Sequence, residues 1–120
     1  MFYFKQKEFK CKCGKCSPIH GEDWVDTELI VKLEVLREWA GVPLYVNSGY
    51  RCPAHNKAIG GSPRSQHKTG KAADIRYPKG VDKVAFVDKA LEIFDRGGVG
   101  VYPTFVHMDV RGYKARWGKR

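Results

Sequence analysis

Hydrophobic positions recur along this chain with two different periods. Over residues 26–40, Leu29, Leu33, Leu36 and Ala40 fall at intervals of four, three and four. That spacing lines one face of a helix. Asp26-Thr-Glu28 supplies a cap and a first-turn acid, and Gly41-Val-Pro43 stops the run. Val84, Val87, Leu91 and Phe94 repeat the pattern and predict a second long helix, ended by Gly97-Gly98. Between and after these helices the period changes to two. The stretches 44–47, 72–77, 99–102 and 105–110 are short, partly β-branched and bounded by turn residues, so they read as strands. Pro53 opens a short helix that runs toward Gly60-Gly61. The order is helix, strand, short helix, strand, helix, strand, strand. Two longer helices over a small, mainly antiparallel sheet make an α+β fold.

Composition narrows the class. At 120 residues, 42% hydrophobic and 12% aromatic, the chain is one domain's worth with enough apolar surface for its own core. Disorder, collagen-like repeats and coiled coils are excluded as overall classes. No apolar run reaches the roughly 18 residues that span a bilayer. The opening Met-Phe-Tyr-Phe-Lys-Gln-Lys shows no secretory signal. The net charge of +9 is uneven. Residues 1–16 hold five lysines against Glu8, residues 111–120 hold five cations and no acid, and the body between them is neutral. Cationic ends on a neutral body suit a polyanionic surface, whether nucleic acid, anionic lipid or wall polymer, and equally serve solubility.

Two stretches place chemistry on strands. In Ala72-Ala-Asp74-Ile-Arg76, period two puts Asp74 on one face with Ala72 and Arg76. A carboxylate among small residues inside a strand needs a compensating partner. In Phe105-Val-His107-Met-Asp109-Val, one face carries His107 and Asp109 while Val106, Met108 and Val110 form a core face. His67 lies at the end of the loop before the first of these strands. Two imidazoles and a carboxylate form a three-ligand set that suits zinc and leaves a position open for water. Arg51 follows a strand and a turn, where a guanidinium meets a carboxylate or an oxyanion; the alternative is a surface arginine.

The string Ser65-x-His67-x-x-Gly70-x-Ala72-x-Asp74 resembles the signature of the zinc D-alanyl-D-alanine peptidases, a group that extends to lysostaphin and the hedgehog zinc domain. Ser48-Gly-Tyr-Arg51-Cys-Pro-x-His55-Asn56, the closing Phe105-Val-His107-Met-Asp109 and the opening Phe9-x-Cys11-x-Cys13-Gly-x-Cys16 are similar to that family in the same order. The opening matches its small single-domain members of phage and bacterial origin. The resemblance spans roughly residues 7 to 117. It implies a hedgehog/DD-peptidase-like fold over a single domain, 1–120, with a basic cysteine-containing arm (1–16) and a basic tail (111–120). It implies one catalytic zinc ion held by His67, Asp74 and His107, whose activated water hydrolyses a peptide bond in peptidoglycan. The substrates it implies are D-Ala-D-Ala termini, stem bonds or cross-bridges. Arg51 would contact substrate and steady the oxyanion. Ser65 would support a ligand or touch substrate, and Gly70 would allow the turn between ligands.

One position departs from the pattern. Several relatives carry the general base three residues before the last histidine ligand, and here that residue is Thr104. Asp109 is the substitute expected to take the proton; its alternative role is to orient His107 through the second ring nitrogen. His20 and His55 are further candidates, more readily structural or at the rim. For Cys11, Cys13, Cys16 and Cys52, a disulfide from the arm to Cys52 is the first reading, reduced thiols the second and a structural zinc the third. Phe2, Tyr3, Phe4 and Phe9 pack the arm or stack on a ligand, and Trp117 caps the core or binds polymer.

The functional expectation is therefore a monomeric zinc peptidase with peptidoglycan peptides as partners, its cationic ends holding it to anionic wall polymers. With no visible leader, it would reach the wall through phage lysis or on a virion, or as an exported bacterial enzyme. The alternatives are a catalytically weak zinc-containing wall-binding module and a nucleic-acid-binding module. The last leaves the His/Asp set unexplained and has no groove-reading motif, so no specific nucleic-acid partner is expected.

Overall fold

The computed structural model describes residues 3–118. Five strands form one sheet: β1 (Val46–Ser48), β2 (Ala72–Arg76), β3 (Gly98–Val101), β4 (Phe105–Asp109) and β5 (Ala115–Gly118). Their spatial order is β1-β2-β4-β3-β5. All neighbours are antiparallel except β3 and β5. Three helices accompany the sheet: α1 (Thr27–Ala40), the short α2 (Pro53–Ala58) and α3 (Lys83–Ile93). This is the α+β architecture that the two periods predict.

The helices form where the apolar spacing and the caps agree. Asp26 has extended backbone and stands as the residue before α1, and Gly41, at φ 70°, ends that helix. Leu29, Leu33 and Leu36 are fully buried, as the stripe requires. In α3 the Asp82 carboxylate accepts a hydrogen bond from the Ala85 N–H, which fixes the start at Lys83. Val84 is exposed, so the buried stripe of this helix is Phe86, Val87 and Ala90, continued by Phe94. These side chains meet the apolar face of the sheet, where Ala73, Ile75, Val106 and Met108 are all fully buried. Each of the larger ones, Phe86, Ile75, Val106 and Met108, stabilises the fold by about 1.5–3 kcal/mol relative to exposure.

The arm is part of this core. Phe4 and Phe9 are buried, with ring centroids 5.8 Å apart. The Glu34 carboxylate of α1 accepts the Tyr3 and Phe4 N–H groups at 2.9 and 2.8 Å. Gln6 accepts from the Trp24 and Val25 N–H groups and donates to the Val25 carbonyl. Tyr3 itself is exposed, beneath the Arg37 guanidinium. Phe2, Lys119 and Arg120 lie outside the described residues.

Two features differ from the sequence reading. Gln6–Phe9 and Gln66–Thr69 form 3₁₀ turns. Residues 115–118 are a strand rather than a tail, paired in parallel with β3. β5 is held by Arg116, which donates to the carbonyls of Phe94, Asp95, Gly97 and Ala115. One cation of the basic end is therefore engaged with the C-terminal end of α3 and the loop after it.

Candidate metal centre

Register creates the site. β2 and β4 pair so that Asp74 stands directly opposite His107, and Ala72 opposite Asp109. Their apolar faces are buried, so the opposite face collects the polar side chains. His67 joins them from the 3₁₀ turn just before β2. The Ser65 hydroxyl caps that turn, accepting from the His67 N–H at 3.2 Å, and Gly70 ends it at φ 72°. Ser65 and Gly70 thus bound the turn that carries His67. The ligating atoms of His67, Asp74 and His107 lie within 4.8 Å of one another. All three residues are buried.

Hydrogen bonds decide which ring nitrogens face inward. His67 Nδ1 is 2.7 Å from the Gly49 carbonyl, which only accepts, so Nδ1 carries a proton, and Nε2 faces Asp74 Oδ1 at 3.2 Å. His107 Nε2 is 2.7 Å from Asp109 Oδ2, and its Nδ1 faces the same Asp74 oxygen at 3.1 Å. Burial by itself would raise the Asp74 and Asp109 carboxyls. The hydrogen bonds from His107 and His67 to Asp74, and from His107 and Arg111 to Asp109, outweigh it and hold both well below the usual carboxylate range. Burial would likewise lower His107, but its bonds to Asp109 and Asp74 raise it above an ordinary histidine. The result is two imidazole nitrogens facing one ionised oxygen. Such a set needs a cation between its members, a proton or a metal. For zinc, with ligand bonds of about 2.0–2.1 Å, tetrahedral ligand atoms stand about 3.3 Å apart. The 3.1 and 3.2 Å separations fit that requirement.

The surroundings fix the ligands in place. Arg51 Nη2 donates to the other Asp74 oxygen at 3.1 Å, Nε to Ser48 Oγ at 3.0 Å and Nη1 to Asn56 Oδ1. Asn56, itself buried, donates to the Ser62 carbonyl at 2.8 Å. Asp109 does not sit where a base facing the cleft would. It is fully buried behind His107, and both its oxygens are occupied. Oδ1 accepts from the Gly98 N–H at 2.8 Å and the Arg111 N–H at 3.1 Å, and Oδ2 accepts from His107 and from Arg111 Nη2 at 2.8 Å. Both oxygens are thus turned toward His107, Arg111 and the Gly98 N–H. Thr104 lies exposed in the turn between β3 and β4.

In front of the cluster lies a cleft of about 520 Å³. Arg51, Arg64 and Arg111 give its wall positive charge, and Trp117 and Tyr102 give it an aromatic side. His20 and His55 are not among its lining residues. Trp117 stands 5.0 Å from the His107 ring and donates from Nε1 to the Tyr102 hydroxyl. Trp117 thus lies against the ligand shell.

The contacts of Trp117 with His107 and of Arg111 with Asp109, and the Gly98-Val-Gly100 alternation, escape the sequence reading. A Cβ on Gly98 would overlap the Asp109 carboxylate, and one on Gly100 the Trp117 indole. Two glycines two apart on a buried strand are the signal that something approaches that face closely. The cysteines also differ from the first reading. All four are free thiols, and the disulfide to Cys52 is not formed.

The model of the Peptidase M15 family matches residues 2–109. The match contains His67, Asp74, His107 and Asp109, while Arg111 and β5 follow it. No curated protein matches the chain.

Proposed function

Because the chain belongs to the M15 peptidases, we propose that it hydrolyses a peptide bond in peptidoglycan stem or cross-link peptides, with one zinc ion held by His67, Asp74 and His107. The observation that carries this reading is the convergence of three acceptor atoms, each oriented by a partner, at the base of an open cleft. Bound zinc would supply Lewis acidity toward the scissile carbonyl and lower the pKa of a water. The protein's own residues do the rest. Gly49 and Asp109 hold the two imidazoles in the ligating tautomers. Arg51 spends three of its five N–H groups on Ser48, Asn56 and Asp74, which leaves two for a substrate oxygen. Arg64 and Arg111 add positive charge suited to the carboxylates of wall peptides. The site of action is the bacterial wall, reached on lysis, aboard a virion or by export, by an enzyme working as a monomer.

A second reading, a zinc-containing wall-binding module of weak turnover, is favoured by one observation. Among the described residues lining the cleft, Asp74 is the only carboxylate, and it is a ligand. Digestion of peptidoglycan with mass analysis of the fragments, with and without a chelator, separates the two. Chelator-sensitive products with new peptide termini support the peptidase and name the bond. Zinc bound at the cleft with intact peptidoglycan supports the binding module.

A further inference from the structure

Cys11, Cys13 and Cys16 lie in the N-terminal arm, and Cys52 lies far along the chain, immediately before α2. The fold gathers their four sulfur atoms within 4.8 Å of one another. We propose that these thiols form a second metal site, a closed four-sulfur centre for zinc, which pins the arm to the segment that carries Arg51.

Donor number and type come first. Four thiolates complete a tetrahedron and leave no position for water, the arrangement of structural rather than catalytic zinc. With zinc–sulfur bonds of about 2.3 Å, neighbouring sulfurs stand about 3.8 Å apart, within the gathering seen here. Convergence of all four on one point, rather than in two separated pairs, is what a single ion requires.

Backbone donors point at three of the four sulfurs, and at Cys13 they lower the thiol pKa to about 6, while burial raises Cys11 and pushes Cys16 up to about 12. The N–H groups of Lys15 and Cys16 both point at Cys13 Sγ, each at 3.3 Å. The Cys52 N–H points at Cys11 Sγ at 3.4 Å and the His55 N–H at Cys52 Sγ at 3.5 Å. N–H groups aimed at sulfur stabilise negative charge there, and the thiolate is the form that ligates metal. The Cys13-Gly-Lys-Cys16 turn brings two ligands to one point by reversing the chain at Gly14, at φ 73°. The lysines of the arm then gain a local purpose. Lys10, Lys12 and Lys15 interleave the cysteines, and four thiolates around a divalent cation carry two net negative charges for them to offset.

The site also has a structural consequence. The Tyr50 N–H donates to the Phe9 carbonyl at 2.9 Å, and the Arg51 N–H to the His67 carbonyl at 3.0 Å. Residues 49–52 therefore run between the sulfur cluster and the cleft, carrying the Gly49 carbonyl that orients His67 and the Arg51 that holds Asp74. An ion on Cys52 would fix one end of that segment.

The test uses the full chain, purified under reducing conditions, stripped of metal and titrated with cadmium. Thiolate-to-cadmium charge transfer in the near ultraviolet reports sulfur ligation alone, so the His/Asp cluster is silent. The expected result is an absorption that saturates at about one equivalent, together with protection of the thiols from a thiol-reactive dye. In a His67→Ala/His107→Ala variant the signal should persist, and zinc content should fall from about two ions per chain to about one. Cys16→Ser should abolish the saturating absorption. If that variant does not fold, the wild-type titration and the histidine variant still decide. No thiolate–cadmium absorption, or a disulfide in the intact mass of protein purified without reductant that keeps its thiols from metal, would overturn the proposal. None of these readouts is hydrolysis, so they stand or fall separately from the peptidase reading.

Discussion

The His67–Asp74–His107 cluster and the four-cysteine cluster sit at the two ends of one short segment, residues 49–52, and they are built on opposite plans. The first has three donors, imidazole and carboxylate, at the base of a cleft. The second has four sulfurs, three of them in the arm, with Cys11 buried and the others partly buried. Three donors facing a cleft leave a position for a reacting group; four donors close the ion off. The orienting partners differ in the same sense. The cleft histidines are set by a carbonyl and by a carboxylate that itself receives Arg111, while backbone N–H groups point at Cys11, Cys13 and Cys52. Donor count and access therefore assign chemistry to one cluster and cohesion to the other.

Variants can break this contrast. The largest effect belongs to His107→Ala or His67→Ala. Hydrolysis of wall peptides should fall by about 10³-fold or more, because the whole ligand set is lost. Next is Cys16→Ser, or chelation of the sulfur-bound ion. Removing a ligand that binds only the folded chain should cost about 4 kcal/mol when the ion is present at about 1,000 times its dissociation constant, read as a lowered unfolding midpoint. Hydrolysis abolished by Cys16→Ser while the His/Asp cluster still holds its ion would erase the distinction between the clusters.

Asp109→Asn sharpens the role of the residue behind His107. An orienting carboxylate predicts a loss of about 10–100-fold in zinc affinity at the cleft, measured by competition with a chelator, together with reduced activity. A general base predicts lost turnover at unchanged affinity. Gly100→Ala should have the smallest effect, about 1–3 kcal/mol in denaturant unfolding, because its methyl group meets the Trp117 indole on a packed strand. Full stability in that variant would mean that the indole is free to move off His107.

Much of the cleft was legible in the sequence because it rests on local rules. Period two placed Asp74, His107 and Asp109 on polar faces of strands whose other faces are core, and sheet register then brought Asp74 and His107 together. The helical stripe of α1 was equally readable from Leu29, Leu33 and Leu36. What escaped depends on contacts distant in the chain. β5 has no apolar alternation and exists by pairing with β3 and by the Arg116 bonds to carbonyls near the end of α3, so Trp117 and Arg111 were not visible as neighbours of the metal centre. Period two put Asp109 on the right face but is silent on which histidine nitrogen it meets. Cysteine spacing is likewise silent on convergence, because Cys52 joins the other three only through tertiary folding.

The most direct measurement is a zinc titration of metal-free protein with peptide-bond hydrolysis followed against equivalents bound, run in parallel on wild type and His107→Ala. The account predicts that wild-type hydrolysis rises with occupation of the His/Asp cluster and that the variant stays inactive while still taking up zinc at the sulfur cluster. Hydrolysis by the variant at the wild-type rate, or by the metal-free wild type, would contradict it.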